Sequence, residues 1–179
     1  MKFAIIMLKK SVLFLALSGV AIGLLVGILD SWLHYSNFES YKILNIVLFI
    51  LFFVIIYWSV IIIRDEFNNG LMSYFKSFIN ITFTGSIAAL CIAIIRYIYL
   101  NYVISININP ILAQTKETML NKYSLYTTEQ ISNRLSFIEF TYDPIVSSVL
   151  YFTYYIAFVI IFAFVASFII KRIDRNISL

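Results

Sequence analysis

The sequence predicts an all-α integral membrane protein. We expect a four-helix bundle with N-in/C-in topology and an extramembrane helical segment between helices 3 and 4. Of the 179 residues, 62% are apolar and only 12% are charged, and the mean hydropathy is +0.95. Soluble domains are about 45–50% apolar and about 25% charged. This chain has too little polar surface to cover a water-soluble globule, so the bilayer is its predicted solvent.

The first predicted span covers residues 11–29, an uncharged run of 19 residues that follows Lys2, Lys9 and Lys10. At about 1.5 Å per residue, a helix of that length crosses most of a hydrocarbon core about 30 Å thick. A basic start before an apolar run also describes a signal peptide. This run is longer than a signal-peptide core, and no Ala-x-Ala cleavage site follows it. We therefore predict a retained span.

Small residues repeat every four positions in two of the predicted spans. Bare stripes of this kind favour close helix packing in lipid, where no hydrophobic force drives helices together. The sequence leaves open whether the first stripe packs within the chain or against another copy, and the two stripes could pack against each other. The packing candidates are Gly19, Gly23, Gly27, Gly85, Ala89 and Ala93.

The second predicted span covers residues 43–63, after a polar connector that carries the chain's single histidine, His34. A histidine could bind a metal or carry a proton. No cysteine or second histidine stands near it to complete a metal site, so we predict interfacial packing. The single cysteine, Cys91, lies within an apolar run and is predicted to be a packing residue. We therefore predict no metal site and no cofactor.

Residues 64–78 form a short polar connector between the second and third spans. Asn69-Gly70 is a turn signal, since both residues tolerate positive φ. Aromatic residues at Tyr74, Phe75 and Phe78 then suggest a short amphipathic helix over residues 71–80, lying in the membrane interface. The third span is predicted to begin only at residue 81.

The third predicted span, residues 81–100, contains one charge, Arg96. An intramembrane arginine is a functional-site candidate by default. One interpretation is that its long side chain reaches the membrane interface. The other is an ion pair with Asp30, at the outer end of the first span. The sequence favours the first interpretation.

Residues 101–143 form the one long polar segment, predicted to face outward as a helical hairpin. Asn109-Pro110 resembles a helix start, and Thr127 with Gln130 resembles a capping box. This hairpin could simply return the chain to the membrane, or it could be a docking surface for a partner. Asp143-Pro144 repeats the cap-plus-proline signal and opens the fourth span, residues 145–170.

The distribution of basic residues predicts the orientation. With both termini in the cytoplasm, eight basic residues lie inside, on short segments, and five lie outside, mostly on the longer segment. This density favours N-in/C-in topology. Both termini are therefore predicted to be cytoplasmic.

The connector carries a resemblance to a known family. Gly70-Leu71-Met72-Ser73-Tyr74-Phe75-Lys76-Ser77-Phe78 is similar to the Gly-x-(Ile/Leu)-Ser-(Phe/Tyr)-x-x-(Ala/Gly)-Phe stretch of domain of unknown function 4199, which is typical of Bacteroidota. Ser77 departs from that pattern. The resemblance implies an inner-membrane protein without an assigned activity. It marks Arg64, Gly70, Ser73, Tyr74 and Phe78 as signature residues and supplies no catalytic ones.

The function favoured by the sequence is non-enzymatic. No nucleophile with a base, paired acids or histidine cluster is evident, so we predict no catalytic residues. The chain is expected to act by protein interaction or assembly, as a homo-oligomer or with another membrane protein. Its other partner is the lipid bilayer, and we expect no nucleic acid. The alternative is a small transporter or channel subunit, which would need polar groups clustered inside the spans.

Overall fold

The computed structural model describes residues 2–36, 38–104, 113, 117 and 127–171. Four long helices in this part of the chain are long and apolar enough to cross a membrane, which confirms the all-helical prediction with four spans. A shorter helix precedes the last of them. The helices are α1 (Lys2–Ser36), α2 (Phe38–Ile62), α3 (Tyr74–Tyr99), α4 (Thr128–Tyr142) and α5 (Pro144–Ile170).

Helix α3 begins earlier than predicted. Ser73 is its N-cap, with its hydroxyl oxygen accepting from the backbone N–H of Lys76 at 3.3 Å. The separate amphipathic helix predicted over residues 71–80 is wrong, because these residues contain the first two turns of α3. No glycine or proline stands between Ser73 and Gly85 to end a helix there. Single π-helical turns, Ile63–Phe67 and Leu100–Ile104, continue α2 and α3.

The caps of α4 and α5 confirm two sequence predictions. The Gln130 backbone N–H donates to Thr127 Oγ1 at 3.3 Å, and the Thr127 N–H donates to Gln130 Oε1 at 3.1 Å, which completes the capping box. Asp143 then caps α5, where Pro144 takes the first position. One residue therefore separates α4 from α5. The predicted helix start at Asn109-Pro110 lies outside the described residues.

Helix α1 packs on α3 through its glycines. A Cβ atom built on Gly23 would lie 2.5 Å from the Cβ atom of Cys91 and 2.6 Å from the carbonyl oxygen of Ala88. A Cβ atom on Gly19 would lie 2.7 Å from the Thr84 carbonyl oxygen. Gly27 lies in the same way against Ile92 and Ile95. The backbones approach so closely that this face has room only for hydrogen side chains.

The two small-residue stripes do not pack against each other. Gly85 lies against α5 instead, where a Cβ atom would be 2.5 Å from Val159 Cγ1. The reason is rotation, since Gly85 is one position, about 100°, round the helix from Thr84, which faces α1. Ala89 and Ala93 are buried. Helix α3 thus has one face on α1 and another on α5, and these are its two most extensive interfaces.

Large aromatic side chains close the bundle between α2 and α5. Ring centroids are 5.0 Å apart for Phe52 and Tyr155, and 4.8 Å apart for Phe53 and Phe162. Rings of this size hold the two backbones apart, in contrast to the glycine contacts of α1. The outward faces of the four long helices carry exposed large apolar residues, as expected of contact with lipid. Examples are Leu17, Ile46, Ile98 and Ile161.

Candidate functional site

Two pairs of polar side chains lie at one end of the bundle, which we call the Arg96 end. Each of the four spans contributes a polar side chain near this end: Asp30 from the end of α1, Asn45 from the start of α2, Arg96 from the end of α3 and Ser147 from the start of α5. Successive spans run in opposite directions, and this brings the four positions to the same side. Polar side chains inside a membrane bundle are costly and mark candidate functional sites.

Asp30 and Asn45 join the first two spans. The Asp30 side chain is buried, and its Oδ1 atom accepts a hydrogen bond from Asn45 Nδ2 at 3.2 Å. Its carboxyl group is also within electrostatic range of Tyr155 on α5. The hydrogen bond between Asp30 and Asn45 is thus a polar contact between α1 and α2 at the Arg96 end.

Arg96 is buried against α5, with only 5% of its surface exposed. Its Nε donates to Ser147 Oγ at 3.4 Å, and its guanidinium carbon lies 4.7 Å from the centre of the Tyr151 ring. Its Nη1 atom is buried and has no hydrogen-bond partner in the part of the chain that the structure describes.

The candidate ion pair between Asp30 and Arg96 does not form, since no carboxylate oxygen of a described residue lies within 4.0 Å of the Arg96 guanidinium. Helix geometry gives the reason. Arg96 is eleven residues, or about three full turns, beyond Gly85, so both lie on the face of α3 that packs on α5. The guanidinium therefore meets Ser147 rather than the end of α1.

The contacts of Arg96 offset the cost of burying its charge, which is several kcal/mol in proteins. The stacking on Tyr151 contributes about 0.5–2 kcal/mol, and the hydrogen bond to Ser147 adds to it. Nη1 is a further buried donor, and it has no acceptor among the described residues.

Arg64 fastens the opposite end of the bundle. It is buried, and its Nε and Nη2 atoms donate to the two carboxylate oxygens of Asp65 at 2.7 and 3.0 Å. Its Nη1 atom donates to the carbonyl oxygen of Ile170 at 3.4 Å. The last carbonyls of a helix lack partners within the helix. Arg64 thus satisfies the end of α5 from the end of α2.

The Asn69-Gly70 turn is present as predicted, with φ angles of 50° and 75°. The Gly70 N–H donates to the carbonyl oxygen of Arg64 at 2.9 Å, and Asn68 Nδ2 donates to the carbonyl oxygen of Ile63 at 2.9 Å. Nothing lies within 4 Å of a Cβ atom built on Gly70. Glycine is therefore favoured there by backbone conformation and not by lack of space.

The other signature residues hold α3 against α5. Ser73 caps α3, and the Tyr74 hydroxyl donates to the carbonyl oxygen of Phe164 at 3.3 Å. The Tyr74 ring stacks on Phe78 and also contacts Phe168, with a centroid distance of 4.6 Å. These contacts are structural. No group of three or more metal-ligating side chains occurs in the described ranges.

Sequence reasoning missed the partners of Arg96. It named neither Tyr151 nor Ser147 among the candidate site residues. The signal was present in the topology, because the end of span three and the start of span four lie on one side of the membrane. The spacing of eleven residues between Gly85 and Arg96 also places both on one face of α3.

Helix α4 presents aromatic side chains outside the four spans. Phe137 and Phe140, three positions apart, are 67% and 58% exposed, while Leu135 is half-buried. Residues three apart share a helix face. We call this pair the α4 aromatic face.

The chain matches a known family over most of its length. A family model described as "Protein of unknown function (DUF4199)" matches residues 10–172. The chain belongs to the DUF4199 family. The match covers all four spans of this DUF4199 chain, the signature connector and α4. A search of curated proteins finds no match. A search of solved structures also finds none.

Proposed function

We propose that this DUF4199 chain is a non-enzymatic membrane protein that acts by protein interaction or assembly. Its partner is a second copy of the chain or another membrane protein. The observation that carries the proposal is the α4 aromatic face, where Phe137 and Phe140 are largely exposed. Exposed apolar patches on a segment outside the spans are typical of interaction sites, and aromatic residues are enriched at such interfaces.

The glycine stripe of α1 does not serve as the oligomer interface in this proposal. The surface over Gly19 and Gly23 is already covered by α3 of the same chain. Cβ atoms built on these glycines would lie 2.7 Å and 2.5 Å from the nearest α3 atoms. A second copy would have to displace α3 to use that face. The α4 aromatic face is therefore the better surface for a protein partner, while the outward faces of the spans contact the bilayer.

The test compares two double variants. Phe137→Ala/Phe140→Ala removes the α4 aromatic face, and Ile160→Ala/Ile161→Ala, at exposed positions on α5, is the matched control. We expect affinity capture after mild detergent extraction to recover a stoichiometric complex from wild type and the control only. A monodisperse wild-type monomer without a partner, or equal capture by both variants, contradicts the proposal. The latter result would leave α4 a lipid-contacting helix.

The proposal includes no cofactor and no nucleic acid. It also includes no enzymatic activity. At the Arg96 end the Ser147 hydroxyl oxygen accepts from Arg96, and no histidine or carboxylate of the described residues is hydrogen-bonded to this hydroxyl. A serine nucleophile needs such a base.

We also propose a location in the inner membrane of a bacterium of the Bacteroidota, with both termini cytoplasmic. The excess of basic residues on the short segments supports this orientation. A reporter fused near Lys122 is expected to be active only on the periplasmic side. A cytoplasmic reporter signal at that position would reverse the orientation.

The alternative function, a small transporter or channel subunit, is favoured by one observation. Each of the four spans has a polar side chain toward the Arg96 end, although Arg96 and Asp30 are close to the ends of their spans. Solute flux in reconstituted liposomes that disappears with Arg96→Ala would support transport over assembly. Flux at the level of empty liposomes excludes it for the solutes tried.

A further inference from the structure

We propose that Arg96, held by Ser147 and Tyr151, binds the phosphate group of a lipid headgroup. The site is built from a buried side chain, since Arg96 is 5% exposed and its Nη1 atom has no partner among the described residues. A guanidinium stays charged at all relevant pH values and presents donors in a fork that matches phosphate oxygens.

Within the described ranges, no carboxylate oxygen lies within 4.0 Å of the Arg96 guanidinium. Its polar neighbour is the neutral Ser147 at 3.4 Å, and its other neighbour is the Tyr151 ring. Both orient the side chain without neutralising it. A bound anion would supply the missing charge and the missing acceptor together.

The depth of the site favours a lipid as the source of the phosphate. The α3 span, Tyr74–Val103, has 30 residues, which is about 45 Å of helix. A hydrocarbon core about 30 Å thick leaves about 7 Å projecting at each end of a centred helix. Arg96 is seven residues, about 10 Å, from Val103. Its Cα atom is therefore within a turn of the hydrocarbon boundary, beside the layer of lipid phosphates.

The hydrogen bond to Ser147 also locates the guanidinium near this boundary. Ser147 is the fourth residue of α5, whose span is Pro144–Ile170. The Arg96 Nε atom reaches this first turn of α5, so the charged group lies toward the end of the bundle. A soluble phosphate could use the same chemistry, and the experiment separates the two sources.

The test measures lipid binding to purified protein in a non-ionic detergent. The probes are phosphatidylglycerol, diacylglycerol with the same acyl chains, and inorganic phosphate. Native mass spectrometry counts retained lipid, and thermal unfolding follows the shift in Tm. The variants are Arg96→Gln, Arg96→Lys and Ser147→Ala. Lys171→Gln is the control, since Lys171 is an exposed cation at the other end of α5.

We expect phosphatidylglycerol to raise the Tm of wild type and Lys171→Gln equally, and diacylglycerol to have no effect. Arg96→Gln should weaken phosphatidylglycerol binding about tenfold or more, because it removes the charge-assisted hydrogen bonds. Arg96→Lys, which keeps the charge but loses the fork, should weaken it less. If Arg96→Gln does not fold, weaker binding by Arg96→Lys and Ser147→Ala carries the test.

Three outcomes overturn the proposal. Unchanged phosphatidylglycerol binding in the folded Arg96 variants excludes Arg96 as the ligand. An equal Tm shift with inorganic phosphate alone assigns the site to a soluble anion. An Asp30→Arg/Arg96→Asp exchange that restores wild-type stability without any lipid response identifies Asp30 as the counter-ion in place of a phosphate.

Discussion

Two glycines of this chain act for different physical reasons. Gly23 is required by space, since a Cβ atom there would lie 2.5 Å from a side chain of α3. Gly70 is favoured by conformation, since its φ is 75°, and no atom lies within 4 Å of a Cβ atom built there. The sequence presents both simply as glycines. Substitutions therefore separate the two causes.

Gly23→Leu is expected to destabilise the bundle by about 1–3 kcal/mol or to prevent α1 from packing, because overpacking forces the two backbones apart. Ala21→Leu, at an exposed position two residues away, is the control and should change stability little. Thermal unfolding in detergent measures both. Equal Tm values for the two variants would show that α1 does not rest on α3 through this face.

Gly70→Ala is expected to lower stability by about 1–2 kcal/mol, the strain of placing a Cβ atom in the left-handed region. Gly70→Asn should lower it less, since asparagine tolerates that region. Because no neighbour lies within 4 Å, side-chain size should not matter. A larger loss for asparagine than for alanine would point to crowding in place of strain.

Helices meet at interfaces with different chemistry. Helices α1 and α3 make backbone contact over glycine, whereas α2 and α5 meet through rings such as Phe52 and Tyr155. Arg64 links the end of α2 to the end of α5, and the Asn69-Gly70 turn is hydrogen-bonded back to the end of α2. Helix α4 is different, since its described contacts with the bundle are mainly with α5. Its stability depends more on local signals.

Thr127→Ala is expected to destabilise α4 by about 0.5–2 kcal/mol, because it removes the N-cap hydrogen bond from Gln130. Hydrogen exchange should speed up across Thr128–Tyr142 and stay unchanged in α5. Ser132→Ala, at an exposed position within α4, is the control. Loss of protection in α5 as well would show that α4 is needed for the fold of the bundle.

The whole molecule is held together in a solvent that gives little hydrophobic driving force between helices. Burial in lipid therefore contributes mainly through packing. Phe52 is fully buried, and Phe75 is 69% exposed. Truncating each of the two rings to alanine therefore measures the contribution of packing separately from transfer out of water.

Phe52→Ala is expected to lower the free energy of unfolding by at most about 3 kcal/mol. In soluble cores such a substitution costs roughly 3–5 kcal/mol, and the loss is smaller here because the transfer term is largely missing in lipid. Phe75→Ala should have little effect. Reversible unfolding in mixed micelles measures both changes. A loss for Phe75→Ala equal to that for Phe52→Ala would contradict packing as the main stabilising term.

The sequence by itself determined the spans, the caps and the turn. Long apolar runs, the Thr127–Gln130 pair, Asp143-Pro144 and Asn69-Gly70 act over a few neighbouring residues, so their outcome is local. One local prediction failed, at residues 71–80, because Ser73 caps a helix that continues directly into the span.

Only the tertiary structure decided which faces meet. The rotation of each helix about its axis sets Gly85 against α5 and Gly19 against α3, and it turns Arg96 toward Ser147 and away from Asp30. Repeat spacing fixes which residues share a face but not which neighbour that face contacts. That choice depends on the packing of all four spans together, because a rotation of about 100° exchanges one neighbour for another.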